Sequence, residues 1–295
     1  MDSELNLVVV VNTQDPRIGD AARSLVAHLQ KEDGFRVTFI DDSSDWSAQD
    51  GHPEIAIVVG GDGSILRGCR QMGEQQIPII GVNLGRLGFL ADLSPEELLE
   101  GLSHLRAGDY HITEHLMFRC RHRRLDGSGY DDIGLNEICI TAGGSLKMVD
   151  IALEIDSEHV TNFSCDGLIV STPVGSTAHN LSAGGPILRQ DLQALVITPI
   201  CPHTLTVRPI IDSSERQYSM SIPDAPEGMM LSIDGQIHRH ITAGDRIEVE
   251  RAQQSFKLLR LPGHSYYGTL HRKLGWYGQL NYRERRGGDF DVGER

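Results

Sequence analysis

A carboxylate set among glycines directly after a β-branched run, Val58-Val59-Gly60-Gly61-Asp62-Gly63-Ser64, is the part of this sequence best equipped for chemistry. Glycines let a backbone come close to a phosphate and tolerate positive φ. A helix starting at Ser64 aims its first N–H groups and its dipole at such an anion. An ionised Asp62 inside an anion site is electrostatically costly unless a metal bridges the charges or the carboxylate takes a proton during the reaction. That makes Asp62 a candidate general base, and Gly60 to Ser64 a candidate phosphate-binding loop. The same residues also read as an ordinary Asp-Gly turn between a strand and a helix, so the rest of the chain has to decide.

The second concentration runs from Asp166 to Pro186. A strand over Leu168 to Ser171 enters a Pro-Val-Gly turn, after which Ser176, Thr177, Asn180 and Ser182 offer hydroxyls and an amide over two helical turns. Such a surface suits a polyhydroxylated ligand, although a tight turn followed by an N-capped helix would use the same residues. Asn136-Glu137 opens another apolar run and is an amide–carboxylate pair able to hold a ribose or an adenine edge, although a polar pair at the start of a strand is usually just solvated. Asn83 to Phe89 follows a strand of the first half, where loops beyond carboxyl strand ends collect ligands, and Arg86 there could meet phosphate, or only water. A Gly-x-Ser-x-Gly elbow, a Walker motif and Gly-x-Gly-x-x-Gly are all missing, which argues against serine hydrolase chemistry, P-loop chemistry and an ordinary dinucleotide oxidoreductase.

Positioning these residues requires a frame. The runs Leu7–Val11, Arg36–Ile40, Ile55–Val59 and Ile77–Val82, with helix-like stretches such as Ala21 to Lys31 between them, have the βαβ rhythm of a parallel sheet. Ser94, Pro95 and Glu97 form a capping box with proline at the first helical position, predicting a helix that ends near Gly108. Beyond Tyr110 the pattern becomes short alternating strands, among them Met117–Arg121, Ile138–Thr141, Ile151–Ile155, Leu195–Thr198 and Arg246–Glu250. The expected architecture is therefore an N-terminal Rossmann-like α/β domain over residues 1–108 and a β-rich domain over 109–265. Asp41 to Asp50 reads as a surface loop, and 282–295 as an unstructured charged tail.

A length of 295 residues suffices for two cores, and the net charge of −14 argues against a nucleic-acid partner. No apolar stretch is long enough to span a membrane, and the acidic start is read as a core strand rather than a signal peptide. Five cysteines without a Cys-x-x-Cys pair indicate reduced, cytoplasmic thiols, and the 13 histidines lack metal-ligand spacing.

Taken in order, Gly60–Gly63, Gly81 to Leu90, Leu135-Asn136-Glu137, Asp166 to Pro186, Pro202-His203-Thr204 and Lys273 to Trp276 closely resemble NAD kinases, over Leu5 to about Trp276. Gly-Gly-Asp-Gly alone is shared with diacylglycerol and sphingosine kinases and, in similar form, with phosphofructokinases; the long Asp166 motif separates them. A lipid kinase would also need an apolar channel and a basic or amphipathic membrane-facing surface, neither visible here. A non-catalytic sensor would lack the general base, yet Asp62 is present.

The resemblance implies a β-sandwich-like C-terminal domain and a segment over 266–281 that packs back on the first domain. It implies NAD in the cleft, Asp62 as proton acceptor for the adenosine 2′-hydroxyl, and a loop of Gly60, Gly61, Asp62, Gly63 and Ser64 positioning the phosphoryl donor. That donor would be ATP with a divalent cation, Mg2+, not held by a dedicated protein cage. Implied NAD contacts are Asp62, Gly63, Arg67, Asn136, Glu137, Lys147, Asp166, Val174, Thr177, Ala178, His179, Asn180, Leu181, Ser182 and Gln236. Asn136 and Glu137 would take the adenosine part, Thr177 to Ser182 the adenine and ribose, and Asp166 the nicotinamide end. The resemblance further implies a homodimer or homotetramer whose subunits contribute to each other's NAD sites. The chain departs from the family where Thr-Gly-Ser-Thr-Ala-Tyr-Ser is usual: here stand Val174, Gly175, Ser176, Thr177, Ala178, His179 and Asn180. That removes one hydroxyl and turns a phenol into an imidazole.

Overall fold

The computed structural model describes residues 4–11, 16–41, 52–85, 87–144 and 148–275. Strands β1 (Leu5–Val11), β2 (Phe35–Asp41), β3 (Ile55–Val59) and β4 (Ile79–Val82) pair in parallel in the order β2-β1-β3-β4. Side chains alternate across a strand, so Leu7, Val9 and Val11 enter one buried cluster and Val8 and Val10 another. A parallel sheet covered on both faces needs such a continuous apolar run. Helices α1 (Pro16–Leu29), α3 (Pro95–Glu100) and α4 (Leu102–Ala107) supply the first cluster, and α2 (Asp62–Met72) supplies the second through Ile65, Leu66, Cys69 and Met72.

The capping box forms as predicted: Ser94 Oγ accepts from Glu97 N, and the Glu97 carboxylate accepts from Ser94 N. Two expectations change in detail. The helix expected to run to Gly108 is divided at Gly101 into α3 and α4, and Gly108, with φ of 69°, ends the second. Helix α2 begins at Asp62 rather than Ser64, because Gly61 is its extended N-cap, so the carboxylate belongs to the first helical turn.

The remaining elements are β5 (His111–Arg123), β6 (Gly129–Gly134), β7 (Glu137–Thr141), β8 (Val149–Ile155), β9 (Glu158–Cys165), β10 (Gly167–Ser171), α5 (His179–Ser182), β11 (Ala194–Ile200), β12 (Ile210–Ser213), β13 (Tyr218–Ser221), β14 (Met230–Ile233), β15 (Ile237–His240), β16 (Arg246–Arg260) and α6 (Tyr266–Leu274). The stretch expected to be two helical turns is instead a 3-10 turn, Gly175–Thr177, followed by the single turn of α5. An antiparallel six-stranded sheet runs β12-β11-β10-β7-β14-β15, and its apolar face packs on β8, β9, β13 and β16 across one core.

The pairing pattern changes near residue 110, yet the first sheet does not stop there. Strand β16 pairs with β4 in parallel at Leu258–Ile79 and with β5 and β13 in antiparallel fashion, making one ten-stranded sheet of both halves. The cluster beneath α2 likewise joins both halves, because Met117, Leu135, Val174 and Phe256 meet Ile65 and Leu66 there. The expected tail and the returning segment beyond Gly275 lie outside the described residues, as does the expected surface loop after Asp41.

Phe256 is fully buried at that junction. Phe256→Ala is expected to destabilise the chain by about 3–5 kcal/mol, read as a lower urea midpoint with one cooperative transition in both variants.

Candidate active site

At the start of α2 the N–H groups of Asp62 and Gly63 have no preceding helical turn to accept them. The Asp62 side chain turns to the neighbouring loop: Oδ2 accepts from Phe89 N at 2.9 Å, and Oδ1 from Leu90 N and Ala91 N, each at 3.0 Å. Gly88 starts this clasp, and a methyl group there would overlap the Asp62 carboxylate. Three backbone donors fix where the carboxylate sits while its residue remains partly accessible. Helix α6 holds the loop from behind, with Lys273 Nζ donating to the Leu87 carbonyl and lying over the Phe89 ring, and Thr269 Oγ1 donating to Asp92 at 3.2 Å. A cavity of about 960 Å3 opens beside Gly60 and Gly61, bounded by Asn83, Gly85, Leu87 and Asp92.

Across from this loop, the turn between β14 and β15 carries Asp234, whose side chain is 0% exposed. Its carboxylate accepts from Leu135 N at 3.0 Å, Asn136 N at 2.7 Å and Glu137 N at 3.3 Å. Arg70 of α2 sits 3.6 Å away and also donates to Gln236, whose own amide donates to the Gly63 carbonyl at 2.8 Å. The asparagine–glutamate pair and the residue after Asp62 are thus tied to one hairpin turn. Burial pushes the Asp234 carboxyl up against the pull of Arg70 and the three N–H groups.

The turn after β10 is locked to the same place. Thr172 N donates to the Asn136 carbonyl at 2.9 Å and Thr172 Oγ1 to the Leu135 carbonyl at 2.5 Å. Gly175 follows so closely that a methyl group there would overlap Asn136 O. Glu137 is buried with Oε2 unpartnered, and burial together with the Asp234 charge raises its carboxyl to about 8. Val174 is buried beneath α2, and Thr177 donates to its carbonyl at 3.2 Å. Asn180 is buried with its amide fully used: it donates to Ser176 O and Pro186 O and accepts from Thr198 Oγ1. Ala178, His179, Leu181 and Ser182 keep accessible surface.

Residues 27–110 match the ATP-NAD kinase N-terminal domain and residues 135–261 the ATP-NAD kinase C-terminal domain. The NAD kinase of Rhodopirellula baltica is 50% identical over 231 residues, covering 78% of this chain and 74% of that protein. The chain belongs to the NAD kinase family. The NAD kinase of Geobacter sulfurreducens is 34% identical over 92% of this chain and 98% of its own length. Among solved structures, an NAD kinase from Archaeoglobus fulgidus in complex with ATP superposes with a TM-score of 0.73 at 25% identity, over 93% of this chain and 100% of that one. Yeast NADH kinase complexed with NADH has the same fold, with a TM-score of 0.84 at 23% identity over 96% of this chain and 91% of that one.

The sequence-predicted residues do not all come together. Asp62, Gly63, Asn136, Glu137, Val174, Thr177 and Gln236 gather at α2 and the two turns facing it. Asp166 lies at the far end of β10: Gly167 pairs with Thr141 and Ser171 with Glu137, so Asp166 is about 17 Å along the strand from the glutamate. It is exposed, with His203 Nε2 3.7 Å from its carboxylate. Arg67 is one turn along α2 from Gly63 and partly buried, and Lys147 and Arg86 lie outside the described residues. Sequence reasoning passed over Arg70 and Asp234. The Asp-Gly step between two alternating apolar runs, Asp234-Gly235, was the available hairpin signal.

Glu137 keeps its proton in the folded chain up to about 8, whereas its ordinary value is 4.5. The folded state therefore binds the extra proton between these values, and this group's contribution to stability falls as pH rises through that window. Urea midpoints at pH 5, 7 and 9 are expected to show this decline in wild type and a flatter profile in Glu137→Gln. Arg70→Met leaves Asp234 without its cation and is expected to cost about 3 kcal/mol at pH 7, with Arg70→Met/Asp234→Asn recovering part of the loss by urea unfolding.

Proposed function

We infer that this chain transfers the γ-phosphoryl group of ATP to NAD, giving NADP and ADP, with Asp62 as the proton acceptor. The phosphoryl transfer from ATP to NAD is the activity of the NAD kinase family to which the chain belongs. The reading of Asp62 rests on one observation: a carboxylate fixed by three backbone donors at a helix start, beside a glycine-lined cavity. In the step, the adenosine 2′-oxygen forms the bond to the γ-phosphorus as the bond to the β,γ-bridging oxygen breaks. The hydroxyl proton passes to Asp62 and the leaving electrons remain on ADP. Phosphoryl transfer depends mainly on positioning and charge neutralisation, which suits a preorganised carboxylate.

The other roles follow the same geometry. Asn136 and Glu137 hold the adenosine part, since their backbone is fixed by Asp234 and Glu137 retains an unpartnered oxygen. Ala178, His179, Leu181 and Ser182 meet the adenine and ribose from the accessible side of α5, while Val174, Thr177 and Asn180 support that turn from beneath. Gln236 and Arg67 act beside Gly63. Gly60, Gly61, Gly63 and Ser64 face the donor phosphates. A divalent cation, Mg2+, would be bound mainly through the triphosphate's own oxygens. Such a cation supplies neutralisation of phosphate charge. The distance of Asp166 from Glu137 along β10 favours a role toward NAD held by a second copy, in a homodimer or homotetramer. Five free thiols favour a reducing cytoplasmic setting.

NADP formation from NAD, ATP and magnesium, followed with an NADP-specific dehydrogenase, tests the reading. Asp62→Asn is expected to lower kcat by about 10²–10⁴-fold with little change in the KM for NAD. A wild type that binds NAD without producing NADP would turn the reading to a sensor. Gly88→Ala, which displaces the carboxylate without altering its chemistry, is expected to lower kcat by about 10²-fold while circular dichroism stays native.

A further inference from the structure

A second cavity, of about 510 Å3, opens where α4 leads into β5 and where β16 turns back into α6. It shares no lining residue with the cavity beside the glycine loop. Its wall includes buried nitrogen groups that the protein does not satisfy. Arg260 is 8% exposed, its Nε has no partner, and Nη2 has only a 3.5 Å contact with Gln190 Oε1. His115, 2% exposed, meets the Gln190 carbonyl through Nδ1 at 3.2 Å and leaves Nε2 without a partner. Gln190 Nε2 and His264 Nδ1 are also unpartnered. Buried polar groups are nearly always paired, so the two definite donors among these atoms, Arg260 Nε and Gln190 Nε2, call for an acceptor, whereas the buried, neutral His115 donates through Nδ1 to the Gln190 carbonyl and leaves Nε2 as an acceptor.

The protein's own carboxylates do not provide it. Asp191 pairs with Arg189 at 2.9 Å and Asp109 with His104 at 2.7 Å, while Asp92 acts on Arg260 only at longer range. Burial lowers the proton affinity of Arg260, the signature of a desolvated cation with too little counter-charge. The first turn of α6 borders the same space. Ser265 Oγ caps Gly268 N, leaving the N–H groups of Tyr266 and Tyr267 as helix-terminal donors. The two tyrosine rings, with centroids 5.2 Å apart and planes tilted by 57°, border the mouth.

We propose that this cavity binds a small aromatic oxyanion, its carboxylate or phosphate facing Arg260 and the first turn of α6 and its ring lying against Tyr266 and Tyr267. The site shares no lining residue with the cavity beside the glycine loop, so its occupancy is expected not to depend on turnover.

Phenyl phosphate and benzoate, titrated calorimetrically into full-length protein saturated with NADP and ATP, test the proposal and distinguish the two head groups. Binding of either probe is expected. Arg260→Met is expected to weaken it by about tenfold or more, the loss of one charged contact. Tyr267→Ala, at a largely exposed position that leaves the fold intact, is expected to weaken it by about threefold. Asp62→Asn is expected to leave it unchanged. Absence of binding by both probes, competition by NADP or ATP, or equal affinity in wild type and Tyr267→Ala would overturn the proposal, even where Arg260→Met fails to fold.

Discussion

The site depends on a carboxylate held by backbone. Asp62 stands at a helix start, where phosphate would be welcome, and its negative charge would be free to swing if only solvent met it. The N–H groups of Phe89, Leu90 and Ala91 remove that freedom. Because the donors are main-chain groups, the arrangement constrains backbone path more than side-chain identity. It requires a loop that comes close to α2, a glycine at 88 to permit the approach, and an element behind the loop to keep it there. Helix α6 meets the last requirement from nearly 200 residues away through Lys273 and Thr269.

The opposite wall uses the same device with the roles exchanged. There a fully buried Asp234 gathers the N–H groups of Leu135, Asn136 and Glu137, and its charge is answered by Arg70 from α2. Two carboxylates on the two walls thus organise two stretches of main chain. Gln236 closes the circuit by bonding to Gly63. The cleft is therefore set by short polar contacts around an apolar junction in which α2, Val174 and Phe256 already hold the halves together.

Much of this was legible in the sequence. The βαβ rhythm, the capping box at Ser94 and the glycine loop announce themselves locally, through periodicity of two and 3.6 residues and through side chains that cap their own helix. What was not legible depends on partners distant in sequence. Arg70 and Asp234 are 164 positions apart by their numbers, and either alone reads as a surface charge. The burial of Asn180 and Val174 was hidden for a related reason: a polar residue in a turn and a valine in place of threonine take their meaning from what folds over them. Val174 fits because its environment is apolar core, whereas the exposed His179 keeps its imidazole at the surface. The halving of the α3–α4 helix at Gly101 shows local punctuation prevailing over a longer apolar period.

Strand β16 bears on how the chain emerges during synthesis. Its last residues complete the parallel sheet at Leu258–Ile79, on the side of β4 away from β3. A nascent chain that has already formed β1 to β4 would show Ile79–Val82 as an open apolar edge until residue 258 leaves the ribosome. An edge of that kind invites pairing with another chain. The early sheet therefore has to wait for β16, or be shielded until then, because the strand that seals the first half of the protein follows β4 only after the whole antiparallel half has been made.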